Sequence, residues 1–339
     1  MLFKYKHIKH PLDKFHVYIR HLVLDVWCNA SQPFSTDLLM PSFSALVNAM
    51  PNNYLLNPIQ EIYNDLKRKP KSFKRLLHDG FRKNNNIEAL CSGSYSPIQY
   101  AAIKVVDKDF SNKLYKFFVN AYDLLDDSRV NASLGGINKH YKEFFKKGVN
   151  KTVCPFCGIL PMLNSENAKR EAYDHYFPKE IYPFNSVNFD NLVPMCHTCN
   201  SKYKTRKDPI NLRYGGPRRN VFFPFITSTS TNIDIEFTFN TTDVENLTSA
   251  DIDILITPDN SNNEVDRWKE IFGIEERYKA VCCEEAAYKG WLEEYQTMTQ
   301  MGTVISFNDY LAAKSTNKHL NKKFLEVAYL TACRNATVI

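Results

Sequence analysis

Apolar residues recur at three- and four-residue intervals through most of the first 150 positions. Leu12, Phe15, Ile19, Leu22, Val23 and Val26 fall on one helical stripe. Ile59, Ile62, Tyr63 and Leu66 form another, and Leu114, Phe117, Phe118, Ala121, Leu124 and Leu125 a third. Pro33, Pro41, Pro51, Pro58 and Pro97 punctuate the segment, so it reads as several helices rather than one. The period changes after Gly215-Gly216-Pro217. Ile233-Asp-Ile-Glu-Phe-Thr-Phe alternates apolar and polar, Ile252-Asp-Ile-Leu-Ile-Thr nearly does, and both predict strands. Pro258 to Asn263 reads as a loop. From Glu264 helical spacing returns, through Trp268, Ile271 and Phe272, then 280–298, 307–311 and 320–333. The amphipathic stretch around Trp268 predicts core packing or an oligomer contact.

Charge divides the chain along similar lines. Residues 1–150 carry 22 Lys+Arg against 13 Asp+Glu, residues 151–220 carry 11 against 6, and residues 221–339 carry 10 against 18. A basic first two-thirds suits a polyanion, or simply a solvated surface; the acidic remainder does not suit one. The run from Lys67 to Lys83 is either a phosphate-contacting helix or a solvated helix face. No apolar stretch approaches the ~20 residues of a membrane span, and no apolar segment follows the basic N-terminus. The expectation is a soluble cytoplasmic protein without a membrane partner.

The cysteines add candidate chemistry. Nine are present, an odd number, and four fall in two CxxC pairs: Cys154-Pro-Phe-Cys157 and Cys196-His-Thr-Cys199. A two-residue spacer lets both sulfurs of a pair reach one ion, so one structural zinc on four thiolates is expected, in a reducing compartment. Buried or redox cysteines, or a site using His197, are the alternatives. Gly158 fits the turn of the first knuckle. The 39 positions between Cys157 and Cys196 leave room for an insertion with a function of its own. That insertion holds Asp174-His175, on a short strand-like stretch ended by Pro178, and Asn191 before Leu192-Val193-Pro194. Asn200 and Lys202 then open a helix. On a regular strand Asp174 and His175 would face opposite sides.

Taken together, Cys-x-x-Cys, Asp-His-x-x-Pro-Lys and Asn-Leu-Val-Pro-x-Cys-x-x-Cys-Asn-x-x-Lys resemble the HNH endonucleases with a ββα-metal core, over roughly residues 150–207. The resemblance implies His175 as general base, Asp174 and Asn200 as ligands of a catalytic Mg²⁺ or Mn²⁺, and Asn191 as the residue that steadies the loop. Asn200 stands where the name-giving pattern has its last histidine. Lys179, Lys202, Lys204, Arg206 and Lys207 are candidate contacts to a nucleic acid, most naturally double-stranded DNA, with Arg213, Arg218 and Arg219 beyond them. The expected fold is α+β and mostly helical: a helical basic region (1–149), an HNH core with its zinc knuckles (150–220) and an acidic mixed strand/helix region (221–339). The arrangement resembles bacterial defence nucleases, and the acidic C-terminal region is expected either to screen the basic groove or to bind a partner, such as an ATPase or sensor subunit that restrains the nuclease. A non-catalytic zinc-ribbon module that binds nucleic acid or protein, and an RNA-cleaving enzyme, are the competing readings.

Overall fold

A computed structural model describes residues 1–148, 153–211, 217–226, 233–258, 263–303 and 306–339. Helices dominate it, with two small antiparallel sheets. The N-terminal region holds α1 (Asp13–His21), α2 (Pro41–Asn48), α3 (Leu56–Lys67), α4 (Lys71–Asn84) and α5 (Ile87–Ser92). It continues with α6 (Tyr100–Val106), α7 (Lys108–Asp123), α8 (Ser128–Leu134) and α9 (Gly136–Gly148). A π-helical turn, Leu22–Trp27, extends α1.

The apolar stripes are the buried faces. On α3 these are Ile59, Ile62, Tyr63 and Leu66; on α7 they are Phe110, Leu114, Phe117, Phe118 and Ala121. Trp27 joins the two helices. Its ring meets Phe117 edge-on at 4.9 Å, and its Nε1 donates to the Ile59 carbonyl at 3.2 Å. Caps set several helix starts: Asn86 accepts from the Ala89 amide at 3.0 Å and Asp107 from the Phe110 amide at 3.0 Å. The basic helix α4 buries Phe73, Leu77, Phe81 and Asn84 and turns Lys71, Arg75, Arg82 and Lys83 to solvent.

The central sheet pairs β1 (Tyr173–His175) with β2 (Leu192–Pro194), His175 opposite Leu192 and Tyr173 opposite Pro194. A short π-helix, Thr198–Lys204, follows β2 after the second cysteine pair. Beyond it β3 (Ile233–Phe239) pairs antiparallel with β4 (Ile252–Pro258), as the alternation predicts. The chain ends in α10 (Asn263–Phe272), α11 (Ile274–Cys282), α12 (Glu285–Ala287), α13 (Glu293–Gln300), α14 (Phe307–Ser315) and α15 (Lys323–Asn335), with α15 packed on β3. Arg213 and the Asp259–Asn262 part of the expected loop lie outside the described residues.

One continuous cluster of buried side chains runs through all three regions. The first residues help to knit it. Tyr5 forms a parallel bridge with Phe225, its ring lies 5.1 Å from Phe144, and its hydroxyl donates to the Pro194 carbonyl at the end of β2. Trp268 is buried, and its Nε1 donates to the Phe156 carbonyl at 2.6 Å, so α10 is a wall of the cysteine knuckle.

Candidate functional site

The two cysteine pairs converge. Cys154, Cys157, Cys196 and Cys199 are buried, and their sulfurs lie within 4.8 Å of one another. Tetrahedral zinc–thiolate bonds of about 2.3 Å place sulfurs about 3.8 Å apart, so the cluster suits one zinc. The first knuckle closes on itself: the Gly158 amide donates to the Cys154 carbonyl at 2.7 Å, and the Cys154 amide to the Leu160 carbonyl at 2.9 Å. Gly158 has φ +67°, and a Cβ there would stand 2.2 Å from Leu2 Cδ1, so only glycine fits.

Thiolates packed this closely need positive charge around them. Arg277 of α11 supplies some: its Nη1 donates to the Cys199 sulfur at 3.3 Å and to the Phe272 carbonyl at 3.2 Å, and its guanidinium lies over the Tyr203 ring. Such outer contacts orient ligands and tune a metal site. A closed four-thiolate site has no open position, which makes its role structural.

The hairpin brings the other candidates together around a loop, residues 184–191. Asp174 and His175 point to opposite sides of β1. His175 is half-buried; its Nε2 lies 2.9 Å from the Ser186 carbonyl, and its ring meets Tyr122 of α7 edge-on at 4.4 Å. Burial, with help from nearby Lys179, pushes the imidazole down to about 3, against the hydrogen bond to Ser186. Lys179 itself stacks its ammonium over the Tyr122 ring at 4.3 Å.

Asn191 is fully buried and clamps the loop. Its Oδ1 accepts from the Phe177 amide at 2.7 Å, and its Nδ2 donates to the carbonyls of Phe177 at 3.0 Å and Asn185 at 3.3 Å. An amide side chain that donates and accepts at once suits this position. Two further asparagines extend the clamp. Asn84 of α4 donates to the carbonyls of Ile98 and Pro183, and Asn188 donates to the Asn85 carbonyl at 3.0 Å.

Asp174 is a different case. Its carboxylate is 7% exposed and pairs at 2.7 Å with Lys204, whose side chain is 1% exposed. The same ammonium donates to the His175 carbonyl at 3.0 Å. Burial raises the Asp174 carboxyl, and Lys204 opposes the rise. This corrects the placement of Lys204 among the nucleic-acid contacts: a buried lysine committed to a carboxylate cannot reach a phosphate backbone. Asn200 is half-buried on the π-helix; its backbone amide donates to the Cys196 carbonyl and its backbone carbonyl accepts from the Thr205 amide.

Lys204 occupies the Oδ2 side of the Asp174 carboxylate. Among the described residues, the four cysteines are the only group of three or more His, Cys, Asp or Glu donors close enough to share a metal.

The remaining basic candidates divide. Lys202, Arg206 and Lys207 are exposed at the end of the π-helix, and Lys207 also donates to the Ile271 carbonyl at 3.3 Å. Arg218 is a structural clasp, donating to the carbonyls of Leu90 and Tyr95, and Arg219 lies 3.9 Å from Glu270. Tyr122, Ser186 and Arg277 escaped the sequence reading. Tyr122 continues the Phe118 face of α7 by one helical turn, which signals burial but not its neighbour. Ser186 acts through its backbone, and Arg277 lies about 80 positions from the cysteine it touches. No protein-family model, curated protein or solved structure matches this chain.

Proposed function

We propose that this chain is an HNH-type endonuclease that hydrolyses phosphodiester bonds in DNA, with His175 as general base and a zinc on four cysteines holding the frame. The observation that carries the reading is how His175 is held. A carbonyl oxygen can only accept, so with Ser186 at 2.9 Å the Nε2 carries the proton and Nδ1 keeps its lone pair. Burial keeps the ring neutral, which leaves Nδ1 free to accept a proton, as a weaker base than an imidazole at its usual value.

In that tautomer Nδ1 removes a proton from water. The hydroxide attacks phosphorus, the bond to the 3′ oxygen breaks, that oxygen takes a proton from solvent water, and the products carry a 5′ phosphate and a 3′ hydroxyl. Asn191 restrains both flanks of the loop that supplies the Ser186 carbonyl, which keeps the base in place. Lys202, Arg206 and Lys207, all exposed, would meet backbone phosphates, contacts that position a duplex without reading its sequence. Asp174, which the resemblance implies as a cation ligand, is paired with Lys204.

That pair also favours the second reading, a zinc module that binds without cutting. Supercoiled-plasmid cleavage separates the two, run with Mg²⁺, with Mn²⁺ and with EDTA at retained zinc content. Nicking by the native chain, lost in His175→Ala with zinc and folding unchanged, is the expected result. Cleavage at full rate by the variant would remove His175 as the base. No cleavage by the native chain in any condition would leave the binding module.

A further inference from the structure

A cavity of about 620 Å³ opens between α1, α4, α5 and the far side of the 184–191 loop, with Phe223 and Ile226 on its remaining wall. It is a separate feature from the cysteine cluster and from the Asp174–Lys204 pair, and nothing above gives it a role. Its size falls in the range of sites that enclose a small organic ligand, ~300–1,000 Å³.

Besides its apolar lining (Leu24, Phe81, Ile87 and Ile226), four kinds of group could recognise a ligand. Arg20 of α1 and Arg82 of α4 are exposed, and neither has a carboxylate partner among the described residues. Glu88 and Asp190 add two carboxylates; Asp190 stands 3.6 Å from His7. Phe223 and Tyr95 present aromatic rings. Asn86 lines it with an amide whose Oδ1 caps α5, the Asn85 amide is spent on Phe81, Phe184 and Asn188, and the buried Nδ1 of His16, another lining residue, has no hydrogen-bond partner.

Each kind matches one part of a nucleotide. Two unpaired guanidiniums suit a phosphate, which they bind with charge-assisted, geometrically matched hydrogen bonds. Carboxylates repel phosphate but accept hydrogen bonds from sugar hydroxyls, as in dinucleotide sites where an acidic residue holds the ribose. Aromatic rings suit a base face, and the Nδ2 end of the Asn86 amide suits its edge. A bare anion would leave the rings and carboxylates without function. We propose that this cavity binds a ribonucleotide, its phosphate on Arg20 and Arg82 and its ribose on Glu88 or Asp190.

The cavity shares a wall with the candidate catalytic loop. Asn85 in that wall accepts from Asn188 at 3.0 and 3.2 Å, Asn188 accepts from the Asp190 amide at 3.0 Å, and Asn191 follows directly. An occupant therefore bears on the loop whose other side holds His175. The binding claim itself does not depend on what His175 does.

The test is calorimetric titration of the full chain with each of the four ribonucleoside triphosphates, with inorganic phosphate, and with a short single-stranded oligodeoxynucleotide. Saturable one-to-one binding of at least one ribonucleotide is expected, weakened about tenfold or more in Arg20→Ala and in Arg82→Ala. Both side chains are exposed, so the variants should keep their fold and zinc, checked by circular dichroism and metal content. Glu88→Gln and Asp190→Asn, compared on a ribonucleotide and its 2′-deoxy form, report the sugar contact. Four results would overturn the proposal: no saturable binding of any ribonucleotide, unchanged affinity in both arginine variants, inorganic phosphate binding as tightly as a ribonucleotide, or binding of the oligodeoxynucleotide alone. The third would mean a bare anion site and the fourth a track for a nucleic-acid strand.

Discussion

Asp174 and Lys204 show how a single pair sets what a site can hold. Two opposite charges removed from water must satisfy each other, and deleting one partner strands the other at a cost of about 3–5 kcal/mol. Lys204→Met should therefore destabilise the protein, and Mn²⁺ should restore part of the loss by taking the vacated side of the carboxylate. Electron paramagnetic resonance would then detect Mn²⁺ bound to the variant and not to an added Asp174→Asn double variant. Mn²⁺ held by the native chain in an Asp174-dependent way would show that Lys204 does not close the position. The residue pair thus asks separately whether a metal binds and whether DNA is cut.

At the scale of elements, the hairpin, the π-helix and the two knuckles form a unit too small to bury much apolar surface. The strands pair over three residues each, and the sheet has only two of them. Two-stranded sheets are marginal in water unless packed against something larger. The cysteine cluster and its surroundings supply that support, through Arg277 to Cys199, Trp268 to the Phe156 carbonyl, and Tyr278 to the Cys157 carbonyl at 2.9 Å. Binding of zinc to such a cluster is folding free energy for the segment. Cys154→Ser or Cys199→Ser should lose zinc, lower the melting temperature and loosen the hairpin, seen as faster amide exchange across residues 173–194. Full zinc stoichiometry in either variant, measured by atomic absorption, would disprove the shared site.

At the scale of the whole molecule, buried imidazoles couple stability to pH. His140 of α9 sits against the Tyr173 hydroxyl at 2.6 Å with the His10 ring 5.1 Å away, and burial pushes it down to about 3. The unfolded chain takes up a proton near pH 6.5 while the native state does not. The stabilising contribution is therefore complete above about 6.5 and declines as pH falls toward 3, by at most about 1.4 kcal/mol per pH unit for one group. His16, pushed by burial to about 4, acts in the same sense. Comparison with His140→Gln at each pH separates this from acid loss of zinc. The native chain's advantage in melting temperature should shrink between pH 6.5 and 4, and a constant difference would refute the linkage.

What the sequence determined by itself is local or chemical. Helical stripes, the alternation at 233–239 and 252–257, and the CxxC spacers each depend on residues a few positions apart, and all reappear as helices, paired strands and a sulfur cluster. The Asn191 contacts are short-range too, since its partners Phe177 and Asn185 lie within 14 positions. The tertiary structure decided the rest. It turned Lys204 inward to Asp174, set Tyr122 against His175, brought Arg277 to Cys199 and ran the first residues beside Phe225. A lysine two positions past Lys202 carries the same local signal as its neighbour; which of the two faces solvent depends on a carboxylate 30 positions away. Contacts of that range come from how elements pack, and packing leaves no periodic mark on the chain.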